Sequence, residues 1–447
     1  MNNNRLSNLL HRAANGEELT IAFFGGSITQ GSLAEKTEEM YARRVFSWWE
    51  KTFPQAAFHY VNGGIGGTTS HYGVSRVVTD LLMYQPDFVV VDFSVNDEPD
   101  TFFQETYEGL LRKILSWDSK PAVLLLNNIY YDSGKTAQDL HNEIGDYYGI
   151  PHVSIKESIY ADMKAGKYTK EQLTPDGLHP NSFGHGLVAQ QIINYLEKML
   201  EKEKERILDD VEKKIKIRQE KELSKDFSRD LLSEKEFREQ SVVQKKETDK
   251  KEEILLPKSL TPNTYENTKR FTIREISPKL NGFLPDTREK KGMLDHFKNG
   301  WIGKKAGDSI TFTLEASNIA VQYRKTIDRP ALRAKLVLDG DVENTVILDG
   351  NFEEDWGDCL WLEPILHHGE KKVHTVEITI LEDEEKNSDN ENKKEKNKEE
   401  KDKREKNKKE RVKDNIENIK KDEKSDVEIK NEKTPFYLLS VIGDISN

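Results

Sequence analysis

The sequence predicts an α/β domain built on a parallel sheet, followed by a β-sandwich. Three observations predict it. Short apolar runs alternate with amphipathic stretches over residues 1 to about 200. Those runs are nearly continuous rather than alternating, as in strands covered by helices on both faces. From Arg270 onward the pattern changes to short alternating segments separated by turn residues, as in a sandwich.

The runs Leu19–Phe24, Phe58–Val61, Phe88–Phe93, Ala122–Leu126 and His152–Ile155 read as strands. Helical periodicity fills Tyr41–Thr52, Ser70–Tyr84, Thr101–Trp117 and Lys135–Tyr148, and a last helix starts near Asn181 and runs through Leu200. Right-handed crossovers put the carboxyl ends of the strands on one rim, where such sheets bind ligands. Lys and Glu dominate from 201 to about 262, which reads as a solvated helix and then a flexible linker. Its apolar heptads are too irregular for a coiled coil.

In the second half, Phe271-Thr272-Ile273, Ser309–Leu314, Ile319–Tyr323, Ala334–Leu338, Thr345–Leu348, Trp361–Leu366 and His374–Ile380 alternate as strands. A Lys/Glu/Asn/Asp run then interrupts them before Pro435–Ile442 resumes. That run lacks the apolar surface to offset its ordering entropy and is expected to be disordered, as an insertion within the sandwich. The expected division is 1–203 for the α/β domain, 204–265 for the linker and 266–447 for the sandwich, with the insertion at 382–433.

Bulk properties narrow the function. The net charge of -12 over 447 residues argues against nucleic acid as a default partner. A single cysteine, Cys359, rules out an internal disulfide and a Cys-rich zinc site. The polar stretch Met1 to Glu18 has no apolar h-region, and no run reaches the ~20 residues of a membrane span. A protein with no membrane partner is therefore expected, cytoplasmic or else exported by a route this sequence does not show.

Four blocks carry chemistry. Gly25-Gly26-Ser27-Ile28-Thr29 ends the first strand and can present a serine hydroxyl at the rim, although a plain β-to-α turn with serine as helix cap fits the same residues. Asn62-Gly63-Gly64-Ile65-Gly66-Gly67 follows the second strand and can turn backbone N–H groups toward an oxyanion, or be a flexible loop. Asn96, in Ser94-Val95-Asn96-Asp97 after the third strand, can donate an amide N–H, or form an Asx turn. Asp176-Gly177-Leu178-His179 precedes the last helix and offers a histidine base with an aspartate to orient it, or a turn before a helix.

With these four blocks in this order, residues 15–200 resemble the SGNH (GDSL-type) hydrolase superfamily. The resemblance implies a three-layer αβα, flavodoxin-like domain that hydrolyses esters without a cofactor. It implies Ser27 as nucleophile and first oxyanion donor, Gly67 as second donor (Gly66 if the loop is shifted by one) and Asn96 as third. His179 is then the general base and Asp176 its orienter. Two positions depart from the family pattern: Gly26 stands where Asp precedes the nucleophile, and Ser94-Val95 replaces Gly-x before Asn96. The Gly-Gly-Ser-Ile-Thr variant is similar to bacterial carbohydrate acetylesterases, in which such a domain is often joined to a sugar-binding sandwich.

The expected substrate is therefore an O-acetylated oligosaccharide or another small ester. Alternatives are a lysophospholipase or thioesterase, and a non-catalytic glycan-binding protein on the same scaffold. Tyr72, Tyr130 and Tyr131, near strand ends, are expected to line a polar cleft. In the sandwich, Trp301, Trp356 and Trp361 can stack on sugars or fill the core, and the acidic segment Phe352–Asp358 is expected to be an exposed recognition loop. No His/Asp/Glu spacing demands a metal; His71, His141, His152 and His185 read as packing or surface residues.

Overall fold

The computed structural model describes residues 2–225, 256–291, 295–354, 356–382 and 433–444. Residues 383–432 of the expected disordered insertion and residues 226–255 of the expected linker lie outside the described residues.

The first half alternates as predicted: α1 (Asn2–Ala14), β1 (Glu18–Gly25), α2 (Ser27–Gln30), α3 (Tyr41–Thr52), β2 (Ala57–Asn62), α4 (Ser70–Asp80), β3 (Phe88–Asp92), α5 (Thr101–Ser116), β4 (Ala122–Asn127), α6 (Gln138–Tyr148) and β5 (His152–Ser154). Two short helices, α7 (Ala161–Lys164) and α8 (Lys170–Leu173), precede α9 (Ser182–Lys225). The strands form a parallel sheet in the order β2-β1-β3-β4-β5. Alternate residues of each strand feed two cores. Ile21, Phe23, Phe88, Val90, Leu124 and Leu126 pack against α1, α3 and α9. Ala22, Phe24, Val89, Val91, Val123 and Leu125 pack against α4, α5 and α6. This is the three-layer αβα arrangement.

Helix α1 was not anticipated. Its Leu6, Leu9, Leu10 and Ala13 lie at helical spacing and are all buried, a stripe that a mostly polar segment masks.

The second half comprises β6 (Thr268–Phe271), β7 (Lys279–Asn281), β8 (Leu284–Pro285), β9 (Trp301–Gly303), β10 (Ser309–Ala316), β11 (Ile319–Lys325), β12 (Arg333–Leu338), β13 (Val346–Asp349), β14 (Cys359–Leu366), β15 (Lys372–Ile380) and β16 (Phe436–Asp444). Among the described residues they make two antiparallel sheets. One is β13-β12-β15-β10-β7 and the other β14-β11-β16-β9-β8, with β6 also pairing β16. Strand β16 lies between β11 and β9, so the charged run interrupts the sandwich rather than trailing from it. Trp301 fills the sandwich core at 1% exposure, which removes it from the candidate sugar-stacking residues.

The two halves are docked along α4 and α5. Glu108 accepts hydrogen bonds from the backbone N–H groups of Leu260 and Thr261 at 2.7 and 2.8 Å. Glu105 accepts from the N–H and hydroxyl of Thr264 at 2.7 and 2.8 Å. Arg112 pairs with Glu266 at 2.7 Å, and Lys113 donates to the Thr268 carbonyl at 2.6 Å. Ile65 and Tyr72 are buried with Ala320, Leu360, Tyr437, Leu439 and Ile442 of the sandwich. Paired charges and an apolar patch together fix how the sandwich meets the sheet rim.

Candidate active site

Ser27 is the first residue of α2, directly after the buried strand β1. The Gly26 N–H donates to the Asp92 carbonyl at 3.2 Å, tying this turn to the end of β3. The backbone N–H groups of a helix's first turn have no intrahelical partner, so that of Ser27 is available to a ligand. The side chain is 8% exposed, reachable but mostly enclosed.

His179 Nε2 lies 2.8 Å from Ser27 Oγ, across 152 positions of sequence. On the other side of the ring, Nδ1 lies 2.7 Å from Asp176 Oδ2. A carboxylate only accepts, so Nδ1 carries the proton and Nε2 is left to accept from the serine hydroxyl. Asp176 Oδ1 also accepts from the N–H groups of Leu178 and His179 at 2.9 and 2.8 Å, and from Thr174 Oγ1 at 3.1 Å. Burial acts to raise the Asp176 pKa, but the His179 side chain and those backbone donors outweigh it and hold the carboxyl below its ordinary value. The turn is anchored from below, where the Tyr131 N–H donates to the Gly177 carbonyl at 2.7 Å.

The glycine loop and Asn96 meet the serine at the same rim. A methyl group at Gly66 would come 3.6 Å from Ser27 Cβ. The Gly66 N–H is already engaged, donating to Gln30 Oε1 at 2.6 Å. Gly67 is held at φ 68, a left-handed conformation that favours glycine. Its N–H has no protein partner among the described residues, so of the two glycines Gly67 is the one with a free donor. A methyl at Gly26 would come 2.2 Å from Asn96 Oδ1. The departure at position 26 thus makes room for the Asn96 amide against the Ser27 turn.

Several residues that sequence reasoning missed support this rim. Arg76, fully buried, donates to the carbonyls of Gly63 at 2.7 Å and Gly25 at 3.2 Å, joining the ends of two strands. Asn62 Nδ2 donates to the Thr29 carbonyl at 2.8 Å. Beneath α2, buried Asp92 accepts from Thr29 Oγ1 at 3.0 Å and Asn128 Nδ2 at 2.9 Å, while its Oδ1 has no partner among the described residues. Desolvation pushes its pKa up to about 7, against the pull of those two hydrogen bonds. Ser94, the other departure, donates to the Asn128 carbonyl at 3.0 Å and stitches β3 to β4. Asn62, Asp92, Ser94 and Asn128 have no sequence signature beyond polarity near a strand end, and Arg76 lies inside α4.

The aromatic expectations divide. Trp356 lies at the rim: a methyl at Gly67 would come 3.3 Å from its Cη2 and 3.5 Å from Cys359 Sγ. The indole is 55% exposed, stacks edge-on against Phe352 and donates to Glu354 at 2.5 Å. The sandwich therefore reaches the candidate oxyanion loop. Tyr130 is half-buried on the same side, close enough to Glu354 for that carboxylate to help raise its pKa, burial being the larger cause. Trp361 is partly exposed under the Lys325 ammonium, 3.8 Å from its ring centroid.

Tyr72 and Tyr131 do not line a cleft. Tyr72 is 3% exposed within the apolar patch between the domains, and its hydroxyl accepts from Arg270 at 2.5 Å. Tyr131 is 2% exposed in the core. Both follow strand ends, but chain at a strand end can turn inward as readily as outward.

His71, His141 and His185 are buried packing residues, while His152 is half-exposed. His141 lies 3.1 Å from Asp97, a second Asp–His pair that is wholly buried and stacked on Tyr107.

Residues 23–187 match the family model for the GDSL-like lipase/acylhydrolase family. A solved two-domain esterase active on acetylated mannans is 39% identical, with a TM-score of 0.75, covering 99% of this chain and 95% of that one. One crystal structure is of that esterase co-crystallized with mannopentaose. The chain belongs to the GDSL-like lipase/acylhydrolase family. It is a carboxylic ester hydrolase whose αβα domain is joined to a β-sandwich. No curated protein sequence matched. Among the described residues no helix is long and apolar enough to cross a membrane.

Proposed function

We propose that this esterase removes O-acetyl groups from oligosaccharides, with Ser27, His179 and Asp176 as its catalytic triad. The observation that carries the reading is the unbroken chain Ser27 Oγ to His179 Nε2 at 2.8 Å and His179 Nδ1 to Asp176 at 2.7 Å. In this reading His179 takes the Ser27 proton as the oxygen attacks the acetyl carbonyl. The tetrahedral oxyanion is met by the N–H of Ser27, the N–H of Gly67 and the Asn96 amide. Each such donor contributes on the order of 3 kcal/mol to lowering the barrier. His179 then gives that proton to the sugar oxygen as the ester C–O bond breaks, freeing the sugar alcohol and leaving an acetyl group on Ser27. It next activates a water that releases acetate, while Asp176 stabilises the imidazolium.

The sugar side is assigned to the sandwich. Trp356 offers an exposed aromatic face beside Gly67, where a pyranose carrying the ester would rest. The structural relative's activity on acetylated mannans supports mannose-containing oligosaccharides as the substrate class. The division into a hydrolase domain at 1–203, a charged linker at 204–265 and a carbohydrate-binding sandwich at 266–447 is part of the same reading.

The test is mass spectrometry of deacetylation across acetylated manno-, xylo- and gluco-oligosaccharides, with wild type and Ser27→Ala. Loss of acetate release in Ser27→Ala is expected. Equal rates would refute the triad, and a preference for long acyl chains over acetyl would overturn the substrate.

A further inference from the structure

A second cluster of chemistry lies where α5 meets the sandwich, and it shares no residue with the triad. Glu105 of α5 faces His367 and His368, which follow β14, and one ligand atom from each lies within 4.8 Å of the other two. His368 Nε2 is 2.6 Å from Glu105 Oε2. We infer that Glu105, His367 and His368 bind one divalent transition-metal ion of zinc type, bridging the hydrolase domain and the sandwich.

The donor set selects the ion class. Two imidazoles and one carboxylate suit Zn2+ and its neighbours, whereas Ca2+ and Mg2+ take oxygen ligands. Tetrahedral Zn2+ with bonds of about 2.0–2.1 Å sets its ligand atoms about 3.4 Å apart. The Glu105–His368 contact has only to open by less than about 1 Å, and the pairs with His367, within 4.8 Å, have to close by at most about 1.4 Å. A water completes the shell.

The surrounding groups orient this trio as outer-shell partners orient metal ligands. Glu105 Oε1 is held by the Thr264 N–H and hydroxyl at 2.7 and 2.8 Å, which leaves Oε2 for the ion. The Tyr265 hydroxyl lies 2.8 Å from His367 Nδ1, and its ring stacks on the imidazole with centroids 5.7 Å apart. The His368 N–H donates to Asn318 Oδ1 at 3.0 Å, fixing the backbone that carries the ring. Glu105 is 3% exposed and both histidines are exposed, so the site has a buried anchor and an open entry. Sequence spacing conceals it, because Glu105 and His368 stand 263 positions apart.

The probe is Zn2+ titrated by calorimetry into the chelator-treated full-length enzyme, with thermal melting alongside. Wild type is expected to bind one ion per chain at this site and to melt several degrees higher when loaded. His367→Gln and His368→Gln, on an exposed turn, and Glu105→Gln are each expected to weaken binding at least tenfold and to abolish the melting shift. Absence of saturable binding in wild type would overturn the inference. So would binding that survives both histidine substitutions, as Zn2+ taken by His179 would. Glu105→Gln can disturb the domain contact by itself; the histidine variants then decide, since a misfolded chain loses its melting transition and a folded one reports the site.

Discussion

Gly26→Ala tests the relation between the Ser27 turn and Asn96. The added carbon would sit 2.2 Å from Asn96 Oδ1 and 3.0 Å from its Cγ. Ordinary carbon–oxygen contact needs about 1 Å more than that first distance. Asn96 must give way, because its side chain has no hydrogen-bond partner among the described residues, whereas the Gly26 backbone is tied to Asp92. In the proposed mechanism Asn96 is an oxyanion donor, and moving one such donor out of place costs about 2.7 kcal/mol of barrier, or roughly 100-fold in kcat. KM should change little, since the donor acts on the charge that develops in the transition state. The assay is initial-rate hydrolysis of an aryl acetate by Gly26→Ala, Asn96→Ala and the double variant, with melting curves as a folding control. In the double variant the amide is absent and nothing is left to displace, so adding Gly26→Ala to Asn96→Ala should cost less than about twofold. Losses that multiply would refute the reasoning, and so would a Gly26→Ala enzyme with more than a third of wild-type kcat.

Other substitutions probe the rest of the rim. Trp356→Ala should raise KM for acetylated oligosaccharides about tenfold, equivalent to about 1.4 kcal/mol of lost contact, and leave aryl acetate hydrolysis within twofold; equal KM values would show that the sandwich does not hold the sugar. Gln30→Ala frees the Gly66 N–H and should lower kcat about tenfold by letting the glycine loop shift, which unchanged kcat values would rule out. Asp92→Asn reports the buried acid. Its pKa is raised in the folded state to about 7, so its contribution to stability is fully present below the unfolded value of about 3.9 and is lost as pH rises through 7. The variant should therefore gain stability relative to wild type between pH 5 and pH 8, by up to a few kcal/mol, in urea unfolding; a difference that does not change with pH would argue against a titrating Asp92.

What sequence made legible, and what it did not, follows from how each contact is built. Ser27 and His179 stand 152 positions apart yet meet at 2.8 Å. Their meeting could be anticipated because each lies on a turn at the same rim, and the topology of a parallel sheet brings those turns together. The strands and main helices were readable for a related reason, since burial on two faces imposes continuous apolar runs. The position of Trp356 was not readable. It depends on how two domains dock, and much of that docking uses backbone donors: the N–H groups of Leu260, Thr261 and Thr264 on the carboxylates of Glu108 and Glu105. Every residue carries such a donor, so no pattern of residue types marks the contact. Tyr72 shows the same blindness from the other side. Its place near a strand end suggests a cleft, but the sandwich covers it. The seam that buries Tyr72 also holds Trp356 against Gly67, so substitutions along α5 should change sugar specificity before they change ester chemistry.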